Sequence, residues 1–361
     1  MTRKPDGPLR RGWTTGACAT AAARAAYTAL LSGAFPDPVE IALPKGQTPS
    51  FALAKHELGQ DTAAAGIVKD AGDDPDVSHG ALVMVRVGRS PPGSGVTFVA
   101  GEGVGTVTRE GLELAVGEPA INPVPRRMME EAIADVADRF GVVGDVEIEI
   151  SIPGGEAMAE KTMNGRLGIV GGLSILGTTG IVIPFSCSSW IHSIHQGIDV
   201  ARAAGIDHVA GSTGSTSEAA VAALYDLEEQ ALIDMGDFAG GMLKYLRDHP
   251  VARVTIAGGV AKIAKLAAGF LDLHSGRSQV DFDWLADLAA DLDADPALQA
   301  RIRDANTARQ VMQICIEAQI PIADELARRA RDVAAGLLSD ETEVEVLIFD
   351  RAGNLAGRAH G

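Results

Sequence analysis

The stretch Arg166–Phe185 reads RLGIVGGLSILGTTGIVIPF, and no charged side chain occurs between Leu167 and Ile191. Its length would suffice for a membrane-spanning helix. However, five glycines and a proline interrupt it, and glycine at this density breaks a helix. We therefore predict two buried strands joined by the turn Gly177–Gly180. Because the chain downstream repeats strand, glycine turn and helix, the stretch is expected to link two halves and to open the second.

Composition restricts the class of protein. The chain has 361 residues, a formal net charge of −17, and 46% hydrophobic residues, and this length is typical of about two domains. The acidic balance argues against nucleic acid or an anionic membrane as a partner, since both require a basic face. Three scattered cysteines indicate reduced thiols and a cytoplasmic protein, and the first residues lack the apolar segment of a signal peptide.

The two halves differ in pattern. Residues 1–165 are predicted to form an N-terminal α+β domain that ends at the turn Asn164-Gly165. Residues 166–361 are predicted to form a C-terminal α/β domain with a mostly parallel sheet. Its last part predicts a cover of helices, including one long helix over Pro296–Gln319, and a final edge strand at Glu343–Asp350.

Three glycine loops follow apolar strands in the second half, each at the start of a helix. They are Gly211–Glu218, Gly236-Asp237 and Gly258-Gly259. In a parallel sheet such loops all lie at the carboxyl edge, where ligands bind. We therefore predict a binding crevice at this edge.

The first helix begins after Thr14-Thr15-Gly16. Threonine before an Ala-rich run is typical of a helix N-cap, and the free amides there can hold an anion. The basic pair Arg10-Arg11 favours an anion site. A plain cap without ligand is the alternative interpretation.

An acidic loop lies between Lys69 and Gly80. It contains four aspartates and His79, although an ordinary turn needs only one aspartate. Clustered carboxylates repel one another, which can raise a pKa or recruit a cation. A solvated turn and an active-site loop are equally supported, and the spacing is not that of an EF-hand.

Two other patterns carry less weight. Gly101–Gly105 follows a strand as in Rossmann-type methyltransferases, but no helix follows it, so we predict a glycine-rich hairpin. His192 and His195 share a helix face, yet no third metal ligand is evident. We therefore expect packing or surface roles for both histidines and no metal site.

Seven motifs occur in order along the chain: RRGWTTGACATAAARAA from residue 10, KDAGDDPDVSHGALV from 69, GEGVGTVT from 101, GEPAINPVPRRM from 117, SIPGGE from 151, RLGIVGGLSILGTTGIVIPFS from 166 and KIAKLAAG from 262. Together they resemble the cobalt-precorrin-5B methyltransferase family of cobalamin biosynthesis, known as CbiD. The resemblance covers nearly the whole chain. Two loops depart from the expected family pattern: GSTGSTSE stands at Gly211–Glu218, and Ala261 stands where a glycine is expected.

The resemblance implies methyl transfer from S-adenosylmethionine to carbon 1 of a ring-contracted corrin precursor, which converts cobalt-precorrin-5B to cobalt-precorrin-6A. It also implies a two-domain protein without the usual glycine motif of methyltransferases. In such a reaction the protein mainly brings the methyl group and the ring carbon together in line. Asp74 and His79 are candidates for a catalytic base.

The remaining candidate residues fall into two sets. The methyl donor is expected at the glycine loops, with contacts at Gly177, Thr178, Thr179, Gly211, Thr213, Gly214, Glu218, Gly258 and Gly259. The carboxylates of a tetrapyrrole substrate are expected at the first helix and at seven cations beside glycine turns, Arg10 among them. These substrate contacts are Arg11, Thr14, Thr15, Arg126, Lys161, Arg166, Lys262 and Lys265.

Two rival functions remain open. The chain could be a non-catalytic corrinoid carrier, or a phosphate-binding transferase, although it lacks a Walker-type GKS/T motif. The sequence does not decide whether the substrate contains cobalt, which domain holds the donor, or whether the protein forms a homo-oligomer.

Overall fold

The computed structural model describes residues 7–361, which form two compact units. One unit ends at Cys187, and the other comprises Ser188–Gly361. The division therefore comes later than the turn at Gly165 that the sequence suggests. The reason is that residues of Arg166–Phe185 pair with strands of the first unit.

The first unit combines helices with a mainly antiparallel sheet, as the predicted α+β class requires. Its helices are α1 Thr15–Ser32, α2 Pro123–Phe140 and α3 Gly155–Ala159. Its strands are β1 Gly12–Trp13, β2 Val39–Glu40, β3 Ser50–Phe51, β4 Lys55–Leu58, β5 Thr62–Val68, β6 Leu82–Arg89, β7 Val96–Ala100, β8 Thr106–Val107, β9 Val146–Ser151, β10 Ile169–Val170 and β11 Ile181–Val182. The main sheet has the order β4-β5-β6-β9-β7, and only its β7–β9 pair is parallel.

Alanine allows α1 to form the centre of this unit. The helix is buried along almost its whole length and packs on α2, β5 and β6. The side chain of Thr14 accepts a hydrogen bond from the Ala17 amide, and Gly33 ends the helix in a left-handed conformation. The predicted helix, its N-cap and its terminal glycine are confirmed.

The prediction of two buried strands joined by the turn Gly177–Gly180 is wrong in length and burial. The stretch contains only the short strands β10 and β11, and these do not pair with each other. β10 pairs with β8 and β11 pairs with β1, both antiparallel. Glycines give the stretch its turns and let it lie along segments that come much earlier in the chain.

The second unit is an α/β structure, as predicted. Its helices are α4 Cys187–Ala203, which begins at the boundary, α5 Ser215–Tyr225, α6 Ala239–Asp248, α7 Val260–Ala267, α8 Phe282–Ala290, α9 Pro296–Arg303, α10 Ala308–Glu317 and α11 Ile322–Ala335, with a 3-10 turn at Glu229–Ala231. Its strands are β12 His208–Ser212, β13 Leu232–Asp234, β14 Arg253–Gly259, β15 Glu343–Phe349 and β16 Leu355–His360. The sheet order is β13-β12-β14-β15-β16, and only β16 is antiparallel to its neighbour.

Helices cover both faces of this sheet. On one face Val221 of α5 packs with Ala257 and Leu347. On the other, residues of α4, α6, α7 and α11 form a larger core with β12, β14 and β15. This arrangement is doubly wound and leaves the carboxyl ends of the parallel strands at one edge.

Two details of the predicted second half are corrected. The helix expected over Pro296–Gln319 is divided into α9 and α10, because the side chain of Thr307 caps a new helix by accepting the Gln310 amide at 3.2 Å. The strand Glu343–Phe349 lies inside the sheet and not at its edge, because β16 returns beside it.

A buried acid, absent from the sequence predictions, joins several elements of the second unit. Glu345 is 0% exposed. Its carboxylate accepts hydrogen bonds from Tyr225 at 2.6 Å and Thr255 at 2.9 Å. Arg253 and Arg358 form ion pairs with it at 3.0 and 2.9 Å. Burial opposes ionisation, but these bonds outweigh it and hold the pKa of Glu345 below its usual range.

The structure also answers the question of a membrane helix. Among residues 7–361, no helix combines the length and the apolar character needed to cross a bilayer. The glycine-rich stretch itself is mostly turns and two-residue strands.

Candidate functional site

In the first unit, three segments that are far apart in sequence lie side by side. They are Arg10–Gly16, Lys69–His79 and Gly177–Phe185, and we call them the three-segment cluster. The backbone amide of Trp13 donates to the Asp70 carbonyl at 2.7 Å. The pairing of β1 with β11 attaches the third segment. The cluster thus unites the acidic loop, the start of α1 and part of the glycine-rich stretch.

The start of α1 contacts the glycine-rich stretch through main-chain atoms. The Thr14 amide donates to Gly180 at 3.0 Å, and the Gly16 amide donates to Leu176 at 2.9 Å. Gly177 has φ +141°, and a Cβ there would collide with the Thr14 side chain. Two sets of predicted site residues, Thr14-Thr15 and Gly177–Thr179, are therefore neighbours.

The amides at the start of α1 are partly used by the protein itself. Gly16 donates to a carbonyl, and Ala17 donates to the Thr14 hydroxyl at 3.1 Å. This supports the plain-cap interpretation for these two amides.

Most carboxylates of the acidic loop are held by protein groups. Asp70 forms two hydrogen bonds with the Arg10 guanidinium, and this lowers the pKa of Asp70 to about 2. Asp73 accepts the Arg10 amide at 2.6 Å. Asp76 forms an ion pair with buried Lys69. In the described part of the chain, no group of three or more His, Cys, Asp or Glu is placed to hold a metal ion.

Asp74 differs from the other three acids. Its carboxylate accepts the Phe185 amide at 2.7 Å. Burial raises the pKa of Asp74 despite this hydrogen bond, and the negative charge of Asp76 adds to the effect. A carboxyl group whose pKa is raised in this way is a better proton acceptor once it is ionised.

His79 is exposed at the end of the same loop. Its Nδ1 accepts the Ala71 amide at 3.1 Å, so the neutral ring carries its proton on Nε2. Asp70 lies 3.9 Å from the same nitrogen. The protein orients the ring, and in this tautomer Nε2–H can act as a hydrogen-bond donor.

In the second unit, the three glycine loops meet at one sheet edge, as predicted. The chain passes from β12 to β13 on one side and then to β14 on the other, which makes the β12–β14 boundary a topological switch point. Across it the Thr213 amide donates to Ala257 at 3.0 Å. A Cβ on Gly258 would approach the Thr213 hydroxyl to 2.8 Å, whereas Gly214 and Gly259 face open space.

Lys262 and Lys265 lie beside this edge on α7. Lys262 forms an ion pair with Asp237, from the loop after β13. Both ammonium groups donate to the Leu273 carbonyl, at 3.1 Å from Lys262 and 2.9 Å from Lys265. Burial lowers the pKa of Lys265, and the positive charge of Lys262 lowers it further. The two lysines and Asp237 form one group, which we call the lysine–aspartate cluster.

The other predicted cations are placed differently. Arg126 forms an ion pair with Glu118 at 2.7 Å and donates to the carbonyls of Ile121 and Pro119 at 2.8 and 3.1 Å. Its guanidinium therefore holds the proline-rich turn before α2. Arg11, Lys161 and Arg166 lie in loops of the first unit.

Comparison with known proteins identifies the family. The chain matches the family described as CbiD over residues 2–184 and the family described as CbiD, C-terminal domain, over residues 272–360. It is 61% identical to a cobalt-precorrin-5B C(1)-methyltransferase of Paramagnetospirillum magneticum over 98% of both chains. This chain belongs to the CbiD family. The resemblance seen in the seven motifs is confirmed.

Further members of the CbiD family are similar over almost their full length. Relatives with the same name from Bradyrhizobium sp. and Brucella anthropi are 61% and 59% identical, over 98% and 97% of this chain and 94% and 95% of theirs. A crystal structure of the cobalamin biosynthesis protein CbiD from Archaeoglobus fulgidus is 28% identical, covers 75% of this chain and 84% of its own, and has a TM-score of 0.41.

The contact between Gly177 and Thr14 can be tested by stability measurements. Gly177→Ala should lower the free energy of unfolding by more than about 2 kcal/mol, since it adds both backbone strain and a collision. Gly171→Ala is the matched control, because Gly171 has φ +90° but open space around its Cβ position. It should cost about 1 kcal/mol. Equal losses in urea unfolding would show that the contact with Thr14 does not constrain the stretch.

Proposed function

We propose that this chain is an S-adenosylmethionine-dependent methyltransferase that acts on carbon 1 of cobalt-precorrin-5B and yields cobalt-precorrin-6A in cobalamin biosynthesis. The observation that carries the proposal is the identity of about three residues in five, over nearly the full length, with relatives of that name. The buried cysteine thiols Cys18 and Cys315 are in keeping with a cytoplasmic enzyme.

The chemistry requires positioning more than activation. The methyl carbon leaves the sulfonium sulfur, which keeps the electron pair of the broken bond, while the ring carbon supplies the pair for the new bond. The positive charge passes to the macrocycle and is removed when a base accepts a ring proton. Holding the two reactants in line supplies several kcal/mol of the barrier reduction.

We assign the donor to the switch point of the second unit. Gly214 and Gly259 offer open space beside the ends of β12 and β14, so a ligand can approach the main chain there. Gly211, Thr213 and Gly258 shape the same edge, and Glu218 lies in the first turn of α5. The glycines and threonines of this edge can bond the donor through backbone amides and hydroxyls.

Each unit by itself offers candidate groups for the substrate carboxylates. Lys262 and Lys265 lie at the sheet edge of the second unit, and Arg11, Thr14, Thr15, Lys161 and Arg166 are the candidates in the first unit. Gly177–Thr179, predicted from the sequence among the donor contacts, lies against Thr14 in the first unit, and we therefore reassign it to the substrate. Arg126 is assigned a supporting role through the turn that it holds.

An assay with purified protein tests the function. Incubation with S-adenosylmethionine and cobalt-precorrin-5B should give S-adenosylhomocysteine and a tetrapyrrole heavier by one methylene group, both seen by mass spectrometry. A corrinoid carrier would bind the tetrapyrrole without changing its mass and would ignore S-adenosylhomocysteine. A phosphate-binding transferase would bind neither compound.

The donor assignment predicts the effect of a side chain at Gly214. Its φ of 167° is extended and its Cβ position is open, so Gly214→Val should fold normally. We expect the variant to bind S-adenosylhomocysteine at least about tenfold more weakly in calorimetry, a loss of about 1.4 kcal/mol. Gly165→Val, at an equally open position of the first unit that also lacks a positive φ, is a control for general effects. Unchanged affinity at Gly214 would place the donor elsewhere.

The acidic loop makes a second prediction. Asp74→Asn should lower turnover by about a hundredfold if Asp74 is the base, while the melting temperature changes little because asparagine can still accept the Phe185 amide. In the parent, turnover should fall as pH drops through the raised pKa of Asp74. Asp73→Asn, which keeps an acceptor for Arg10, should retain activity. Full activity of Asp74→Asn would leave the loop as a structural turn.

A further inference from the structure

Two lysine side chains are buried in the described part of the chain, and they differ in their partners. Lys69 is 3% exposed and has an acidic partner, with an ion pair to Asp76 and a 2.6 Å hydrogen bond to Ser78. Lys265 is 5% exposed, but the partner of its ammonium group is the neutral carbonyl of Leu273. A buried ammonium group without an acidic partner is costly.

The lysine–aspartate cluster as a whole carries one positive charge too many. It contains two ammonium groups and the single carboxylate of Asp237, which pairs with Lys262. Asp237 and Asp272 favour the charged form of Lys265, while burial and Lys262 oppose it with a larger effect. Asp272 is itself bound to Arg277. The cluster is therefore one anion short of charge balance.

The cluster lies where a ligand can reach it. Asp237 follows β13, the lysines follow β14, and the Leu273 amide donates to the Asp237 carbonyl at 2.8 Å. The Gly236 amide joins the same loop to Ser212 at the end of β12, at 3.0 Å. The cluster is thus tied to the carboxyl edge of the sheet. Lys262 is 30% exposed and is the accessible member.

We propose that the lysine–aspartate cluster is a subsite for one ligand carboxylate, which binds at Lys262 and for which Asp237 is an internal competitor. Two cations can hold two carboxylates, and Asp237 supplies the first. A carboxylate bound at Lys262 brings the number of negative charges to two, which matches the two ammonium groups, and Asp237 already favours the charged form of Lys265. This subsite rests on the proposed function, which supplies two possible sources of the carboxylate. They are the amino-acid portion of the donor and the side chains of the macrocycle.

Charge competition predicts opposite effects for two variants of one ion pair. Lys262→Met should weaken binding of a carboxylate ligand about tenfold, whereas Asp237→Asn should strengthen it severalfold because the competitor is gone. A merely structural ion pair would give losses in both variants. Lys265→Met should weaken binding while leaving the melting temperature unchanged or higher, since it removes an unbalanced buried charge. Lys244→Met, on the exposed surface of α6, is the control.

Three probes identify the source of the carboxylate by calorimetry with the full chain. They are S-adenosylhomocysteine, methylthioadenosine, which lacks the amino-acid portion, and uroporphyrin, a macrocycle with several carboxylates. If the donor supplies the group, Lys262→Met weakens S-adenosylhomocysteine and not methylthioadenosine. If the macrocycle supplies it, the variant weakens uroporphyrin alone.

The outcomes separate this subsite from the proposed function. Loss of uroporphyrin binding in Lys262→Met supports the subsite even if the parent transfers no methyl group. Unchanged affinity for all probes in folded Lys262→Met, weaker binding in Asp237→Asn, or a parent protein that binds none of the probes would each overturn the subsite. Methyl transfer by the parent would stand in the first two cases, whereas a parent that binds none of the probes would also contradict the proposed function.

Discussion

Close contact between main-chain segments, possible only where there is no Cβ atom, determines the arrangement of the first unit. A Cβ on Gly155 or on Gly172 would collide with the backbone at Gly103. The Leu173 amide donates to Gly103 at 2.9 Å from this closely packed position. Backbone packing of this kind needs no side-chain complementarity, so it can hold segments together that share no sequence pattern. The three-segment cluster depends on it, because the same stretch continues past the start of α1.

Local signals in the sequence predicted much of the fold. Thr14 and Gly33 define the ends of α1 through capping, and the alternation of strand, glycine loop and helix predicted the sheet edge of the second unit. The long helix over Pro296–Gln319 was a misinterpretation of signals that were present. Asp295 and Thr307 are both capping residues, and two caps within such a short range indicate two helices.

The long-range partners of strands and charged side chains could not be predicted from the sequence. Nothing in Arg166–Phe185 shows that its apolar residues pair with β1 and β8, because strand pairing depends on the rest of the fold. The same limit applies to charges. Arg126 and Lys265 looked equivalent as cations beside glycine turns, yet Arg126 is neutralised by Glu118 while Lys265 has a carbonyl partner. Because such partners cannot be read from the sequence, the predicted catalytic and ligand contacts remain predictions. The structure shows which variants test them.

The alanine helix α1 has a consequence for how this unit can change by mutation. Most cores tolerate exchange among large side chains of similar volume. The alanines of α1 are fully buried against α2, β5 and β6, so a larger side chain at one of these positions adds atoms to a packed interior. Substitution at these alanines should therefore be confined to glycine and serine, and new volume can enter only if a partner residue becomes smaller at the same time. The helix that carries Thr14 and Thr15 is in this sense the least adaptable part of the first unit.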